Sequence, residues 1–256
     1  MEGKFIIQER RLIILTDVQL EKLQRMVDES SRIVFFGGAG VSTESGIPDF
    51  RSEDGLYRQK YRYPPEVMLS HSFFESHMGE FYEFYRAKML YLDAKPNAAH
   101  KKLAEMERAG KLSAVVTQNI DGLHQKAGSR KVFELHGSVY WNYCMKCGKP
   151  YGPEFILHSK GVPHCSCGGV VKPDVVLYEE GLNQDTIEGA VEAIRQADML
   201  IVGGTSLAVY PAAGLINYYS GNRLVLINRS ATPLDRGANL VISDSIGAVL
   251  SQIKIR

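Results

Sequence analysis

Four groups of residues in this 256-residue chain could carry chemistry. The first is a glycine turn, Gly37-Gly38-Ala39-Gly40-Val41-Ser42-Thr43, directly after the apolar run Ile33-Val34-Phe35-Phe36. Glycines at a strand end let the backbone approach a ligand closely and present its N–H groups, which suits a diphosphate. Thr43 stands where a G-x-G-x-x-G fingerprint has its third glycine, so an ordinary tight strand-to-helix turn is the competing reading. Pro48-Asp49-Phe50-Arg51 follows closely and suggests a second wall of the same site. The second group is Gln118-Asn119-Ile120-Asp121, after the strand pattern of residues 112–117. Polar side chains gathered at a strand end can hydrogen-bond an amide and a ribose, and helix capping by Asn119 or Asp121 accounts for only one of them. The third is His136, at the end of the short apolar run 132–135 and before Gly137. An imidazole titrating near ~6.5 fits a general base, and a structural histidine is the alternative.

The fourth group is cysteine. Cys144-Met145-Lys146-Cys147 is followed about seventeen residues later by Cys165-Ser166-Cys167, the spacing of a zinc ribbon. Gly148, Gly168 and Gly169 suit its tight knuckles. The second pair is C-x-C, not C-x-x-C, so a variant in which His164 replaces one thiol, a redox pair and inert thiols stay open beside the four-cysteine reading. Four thiolates leave no open coordination position, which makes such a zinc structural.

These groups need a frame. The pattern predicts helices over 17–29, from Pro96-Asn97 to Gly110, over 184–197 and from Ile246 to Ile253, with a further helix starting at Pro211. Strands are expected at 32–36, 112–117, 132–135, 172–178, 199–202, 224–227 and 240–242. Strand and helix alternate, with glycine or polar turns at strand ends, among them Gly203-Gly204-Thr205-Ser206 and Asn228-Arg229. The fold class is therefore α/β, a doubly wound parallel Rossmann-like sheet. Residues 1–52, 98–141 and 173–256 would build it. Residues 53–97, rich in aromatics with one or two helices over 72–92, and the zinc ribbon of 142–172 would form a smaller lobe. The aromatics line a lid over the site or are simply core.

Composition excludes several classes. A formal net charge of +1 creates no field that recruits nucleic acid or an anionic membrane. No apolar segment approaches the ~18 residues that cross a bilayer. The clustered thiols and an N-terminus carrying Glu2 and Glu9 point to a cytoplasmic protein.

Taken together, residues 38–51, 117–124, 135–137, the cysteine pairs, 204–206 and 226–228 resemble the sirtuin family, in its bacterial type: NAD-dependent protein lysine deacylases. The resemblance implies NAD as a consumed co-substrate, structural zinc on Cys144, Cys147, Cys165 and Cys167, and an acetylated protein or peptide lysine as partner. It implies that Gly38, Ala39, Gly40 and Thr43 contact the NAD diphosphate, with Arg51 holding phosphate and Phe50 shielding the reacting ribose carbon. Gln118 would bind ribose, and Ile120 and Asp121 the nicotinamide carboxamide. Asn119 would sit by the reacting ribose or a structured water, and His136 would be the general base. Gly204, Thr205, Ser206 and Asn228 would hold the adenosine half, with Ser245 and Ile246 nearby. Val176, Tyr178 and Ala208 would line the cleft where the peptide adds as a strand.

The products implied are free lysine, nicotinamide and O-acetyl-ADP-ribose. An acyl-lysine oxygen is a poor nucleophile, so catalysis would be mainly orientation and water exclusion, followed by proton removal from a ribose hydroxyl by His136. Relatives that remove succinyl or malonyl groups carry Tyr-x-x-Arg in the helical lobe. Here Tyr82-Glu83-Phe84-Tyr85 fills that place and Arg86 falls one residue late, ~100° around a helix, so deacetylation is expected over desuccinylation. A broader lysine deacylase, a protein mono-ADP-ribosyltransferase, an NAD-dependent dehydrogenase and a zinc-ribbon nucleic-acid module are the rivals. The dehydrogenase lacks an acidic residue ~20 positions after the glycine turn, and the nucleic-acid module lacks a basic patch.

Overall fold

The computed structural model describes residues 17–49, 55 and 62–255. Helix α1 (Asp17–Asp28) leads into β1 (Ile33–Gly37), whose five residues are all buried. After α2 (Pro65–Met68), α3 (His71–Ser76), α4 (Met78–Lys88) and α5 (Ala98–Arg108), strand β2 (Leu112–Thr117) pairs parallel with β1. Next come α6 (Leu123–Ala127), β3 (Val132–Glu134), β4 (Gly137–Cys144), β5 (Pro150–Tyr151), α7 (Pro153–His158) and β6 (Val171–Val175). The chain closes with α8 (Gln184–Gln196), β7 (Met199–Gly203), β8 (Leu224–Ile227), β9 (Leu240–Ile242) and α9 (Ile246–Ser251).

Six strands form one parallel sheet in the order β3-β2-β1-β7-β8-β9. The reversal of winding falls between β1 and β7, where open α/β sheets hold their ligands. Alternation along β1 feeds two apolar layers. Ile33 and Phe35 pack with α1, α5 and α9 through Val27, Leu103 and Val249. Val34 and Phe36 pack on the other face with Ala190 and Ile194 of α8. Helix α5 starts where expected because Asn97 accepts from the backbone of Ala99 and His100, and the His100 ring reaches back to the Asn97 N–H.

A smaller antiparallel sheet, β5-β4-β6, packs with α2 to α4. Its core is aromatic: Phe73, Phe74, Phe81, Tyr82, Phe84 and Tyr85 are all buried. Of the described aromatics between 53 and 97, these six are core, Tyr63 packs partly buried against them and Tyr91 lines a cleft; Tyr57 and Tyr61 lie outside the described residues. The small sheet reaches back to Gly137, five residues before the expected ribbon, because β4 pairs with β6 at Gly137 as well as over Asn142–Cys144, with an irregularity between the two. Three further differences are local. The strand expected over 172–178 ends at Val175, Pro211 precedes a 3₁₀ turn (Ala212–Tyr218) in place of an α-helix, and α9 stops at Ser251. Thr16-Asp17-Val18-Gln19 reads in the sequence as a capping-box start for α1, and its Thr16 lies outside the described residues.

Candidate active site

The two glycine turns are packed backbone against backbone. Gly40 N–H donates to the Gly204 carbonyl at 2.8 Å, and Gly204 is left-handed at φ +60°. A Cβ on Gly204 would stand 2.4 Å from Val41 N, and one on Gly40 2.8 Å from Gly204 Cα. No other residue fits either place. The ends of β1 and β7 thus present a bare backbone surface at the switch point of the sheet.

Side chains complete the rim. Gln118 donates to Thr205 Oγ1 at 3.0 Å, and Thr205 N–H donates to Asn228 Oδ1 at 2.9 Å. Asn228 Nδ2 is buried without a protein acceptor, an orphan donor facing the need of a bound polar molecule. Asn119 Nδ2 donates to Ser42 Oγ at 3.1 Å, and the Ser42 hydroxyl donates to Asp121 Oδ2 at 2.6 Å. The other Asp121 oxygen accepts the Leu123 N–H at 2.9 Å. Burial raises the Asp121 pKa, and its bonds from Ser42 and Leu123 oppose that. In the sequence Ser42 is only part of the turn; its tie to residues 77 and 79 positions away exists only in the fold.

His136 sits where β3 leads into β4. Its Nδ1 lies 2.9 Å from the Gln118 carbonyl, which can only accept, so Nδ1 carries the proton and Nε2 holds the free lone pair. Burial holds its pKa below the ordinary 6.5, partly offset by that hydrogen bond. The imidazole is therefore neutral at pH 7, the form a general base needs. Gly137 fixes the turn: at φ +74°, its Cβ would stand 2.0 Å from the Asp174 carbonyl.

A cleft of about 1090 Å³ brings these groups together. Gly38, Ala39, Gly40, Thr43, Gln118, Asn119, Ile120, Asp121, His136, Gly204, Thr205, Ser206, Asn228, Ser245 and Ile246 all line it, with Val176 and Tyr178 on the opposite side. Ala208 does not: it is exposed, and its neighbour Val209 faces the cleft instead. Phe50 and Arg51 lie outside the described residues. Leu69, Lys88, Glu179, Glu180 and Arg229 also line the cleft and were not singled out as site residues. Their signal lies in tertiary proximity, which spacing alone does not carry.

The cysteines converge in the small lobe. All four Sγ atoms lie within 4.8 Å of one another, with contacts of 3.5, 3.5 and 3.7 Å. Zn–S bonds of about 2.3 Å give a tetrahedron with edges of about 3.8 Å, whereas a disulfide would need about 2.05 Å. The four thiols are positioned to bind a zinc ion, and the C-x-C spacing is accommodated by left-handed knuckles at Gly148 and Gly168. His164 stays outside the group, its backbone bridging to Val170. Arg86 also points to this lobe, donating to the Gly161 carbonyl at 2.9 Å, and does not line the cleft.

Comparison with known proteins gives this geometry a relation. The "Sir2 family" model matches residues 38–211. A protein of Clostridium acetobutylicum named "NAD-dependent protein deacetylase" is 64% identical over 239 residues, 92% of this chain and 98% of its own. A namesake from Clostridium perfringens is 61% identical over 93% of this chain and 99% of its own. A solved Sir2 structure with a deacetylated p53 peptide and 3'-O-acetyl ADP-ribose superposes at TM-score 0.85, 40% identical, covering 91% of this chain and 96% of that one. Another, titled as Sir2 with p53 peptide and NAD+, gives 0.81 at 42% identity over 90% and 95%. Glycine turns, strand-end amides, His136 and the thiol cluster thus occur in one chain whose match runs through all of them, and the chain belongs to the Sir2 family.

Proposed function

We propose that this protein is an NAD-dependent protein deacetylase that removes acetyl groups from lysine side chains, giving nicotinamide and O-acetyl-ADP-ribose. The observation that carries the reading is His136, neutral and with Nε2 free, in the same cleft as two side-chain-free glycine turns. Its relatives carry the deacetylase name at more than 60% identity.

Roles follow from the chemistry of each group. The backbone of Gly38, Ala39 and Gly40, whose Gly38 and Gly40 N–H groups are taken by the Gly203 and Gly204 carbonyls, suits the close approach of the diphosphate of NAD beside Thr43, and Gln118 suits a ribose. Gly204, Thr205, Ser206 and the orphan amide of Asn228 suit the adenosine half, with Ile246 packed beneath. Asp121 and Ile120 suit the nicotinamide carboxamide, and the Asn119–Ser42–Asp121 chain holds them in one orientation. Phe50 and Arg51 keep the roles their motif implies. NAD bound there supplies an activated ribose carbon; the chain's part is to align it with the acyl oxygen, exclude water, and take a ribose hydroxyl proton on His136 Nε2. Val176 and Tyr178 form the peptide wall. Zinc held by the four thiolates has no open position and serves the small lobe's fold. We assign residues 1–52, 98–141 and 173–256 to the NAD-binding domain, and 53–97 and 142–172 to the small lobe. Free thiols kept for a metal suit the reducing cytoplasm, where we place the protein. Among the described residues, no helix is long and apolar enough to cross a membrane.

The test is an acetyl-lysine peptide incubated with the protein, with and without NAD, and followed by mass spectrometry. Loss of the acetyl mass only with NAD supports the reading. An unchanged peptide alongside ADP-ribose on protein would move it to ADP-ribosyl transfer.

A further inference from the structure

We propose that residues 69–72 and 177–180 form a latch that sets the peptide-facing strip 176–178, and that His71 makes its grip depend on pH. The proposal rests on the reading of this cleft wall as the peptide site. The backbone supplies two ties: Tyr178 N–H donates to the Leu69 carbonyl and His71 N–H to the Tyr178 carbonyl, each at 3.0 Å. Side chains supply the rest. Glu179 accepts from Ser72 N–H at 2.9 Å and from Ser72 Oγ at 3.0 Å. Glu180 lies 2.9 Å from His71 Nδ1, accepts from Lys172 Nζ at 3.2 Å, and takes the Leu177 N–H at 2.9 Å. Leu69, Tyr178, Glu179 and Glu180 all line the cleft, so the latch is part of its wall.

Two features mark the latch as more than a loop contact. Glu179 is left-handed at φ +76°, one of two non-glycine residues so placed among the described residues. Backbone strain of this kind persists where surrounding contacts over-determine it, and it gathers at ligand clamps. His71 is also flanked on both ring nitrogens by carboxylates. Glu180 faces Nδ1, and Glu75 of its own helix lies 3.3 Å from Nε2. Lys172 of β6 faces the same Glu180 carboxylate, and Glu179 is turned to Ser72. As the imidazolium, His71 donates to both acids. As the neutral ring, one nitrogen offers a lone pair to a carboxylate and that tie is lost. The hydrogen bond to Glu180 raises the His71 pKa above 6.5, with Glu75 adding and burial opposing. The sign follows: the cationic tie is complete below 6.5 and is lost as pH rises through the raised value. The peptide is gripped more tightly at low pH, opposite to the acid loss expected of His136.

The experiment is anisotropy of a rhodamine-labelled acetyl-lysine peptide with blocked termini and no His or Cys, at pH 6.0 and 8.5 and fixed ionic strength. NAD-dependent deacetylation of the same peptide is measured in the same preparations. Native affinity falls roughly threefold between the two pH values, the scale of partly exposed ion pairs. His71→Gln binds with the same weakened affinity at both. Glu179→Gln binds less tightly at both and keeps the pH ratio. A peptide bound and deacetylated with pH-independent affinity, or an equal fall in His71→Gln, overturns the latch alone. A peptide neither bound nor deacetylated overturns the deacetylase reading, and the latch with it.

Discussion

On one side of the cleft stand the ends of parallel strands sealed by apolar layers on both faces; on the other stands a small sheet whose loops converge on four thiols. The first wall owes its geometry to hydrophobic burial and to glycines no other residue can replace. The second owes it to an aromatic cluster, a metal-ligating knot and a latch of partly exposed charges. Burial is indifferent to pH and metal supply, whereas thiolate ligation and ion pairs are not. The wall we assign to the co-substrate should therefore be constant, and the wall we assign to the peptide conditional. His136 sits at the seam, its ring tied to Gln118 of one wall and its carbonyl accepting the Val176 N–H of the other at 3.0 Å.

The seam is where the largest loss is expected. His136→Ala should lower deacetylation by about 10²- to 10⁴-fold with NAD and peptide still bound, as kcat and both dissociation constants would reveal. In the native enzyme the His136 pKa is depressed, so activity is full at pH 7 and falls as pH drops through that lowered value. Zinc removal separates the walls. Chelation, or Cys144→Ala, should weaken peptide binding by roughly tenfold or more and lower the Tm, while NAD affinity changes little. Equal loss of both ligands would erase the distinction drawn here. Gly204→Ala is the mirror image: its Cβ would meet Val41 N at 2.4 Å, so NAD affinity should collapse while the peptide still binds.

A smaller effect comes from Glu134 on β3. Burial pushes its pKa up to about 7, against hydrogen bonds from Gln125 and Ser138. The folded state thus holds a proton that the unfolded state releases, so stability falls as pH rises from 4.5 to about 7. Glu134→Gln should raise the Tm at pH 8 by roughly 2–4 °C, and an unchanged Tm would deny the burial cost. The smallest expected signal is acyl choice. With Arg86 anchored on the Gly161 carbonyl, desuccinylation should stay below deacetylation on the same peptide, and Arg86→Ala should leave the ratio unchanged.

Much of this was legible before the fold. Apolar period and turn chemistry place the strands of the large sheet within a residue or two, since β1 and β7 are buried on both faces and bounded by glycine. The thiol cluster is legible because metal geometry dictates spacing. The contacts that tune the site are not. Ser42 meets Asn119 and Asp121 only through the pairing of β1 with β2. The small sheet begins at Gly137 because a backbone contact with Asp174 is possible only for glycine, which no local pattern announces. The cleft takes Val209 and not the expected Ala208, because backbone direction in an irregular turn sets which side chain faces it.

One measurement bears most directly on the whole account: the stoichiometry of products from a single acetyl-lysine peptide. The account predicts equal amounts of deacetylated peptide and nicotinamide, with the acetyl mass recovered on ADP-ribose. Deacetylated peptide appearing with free acetate and no consumption of NAD would contradict it.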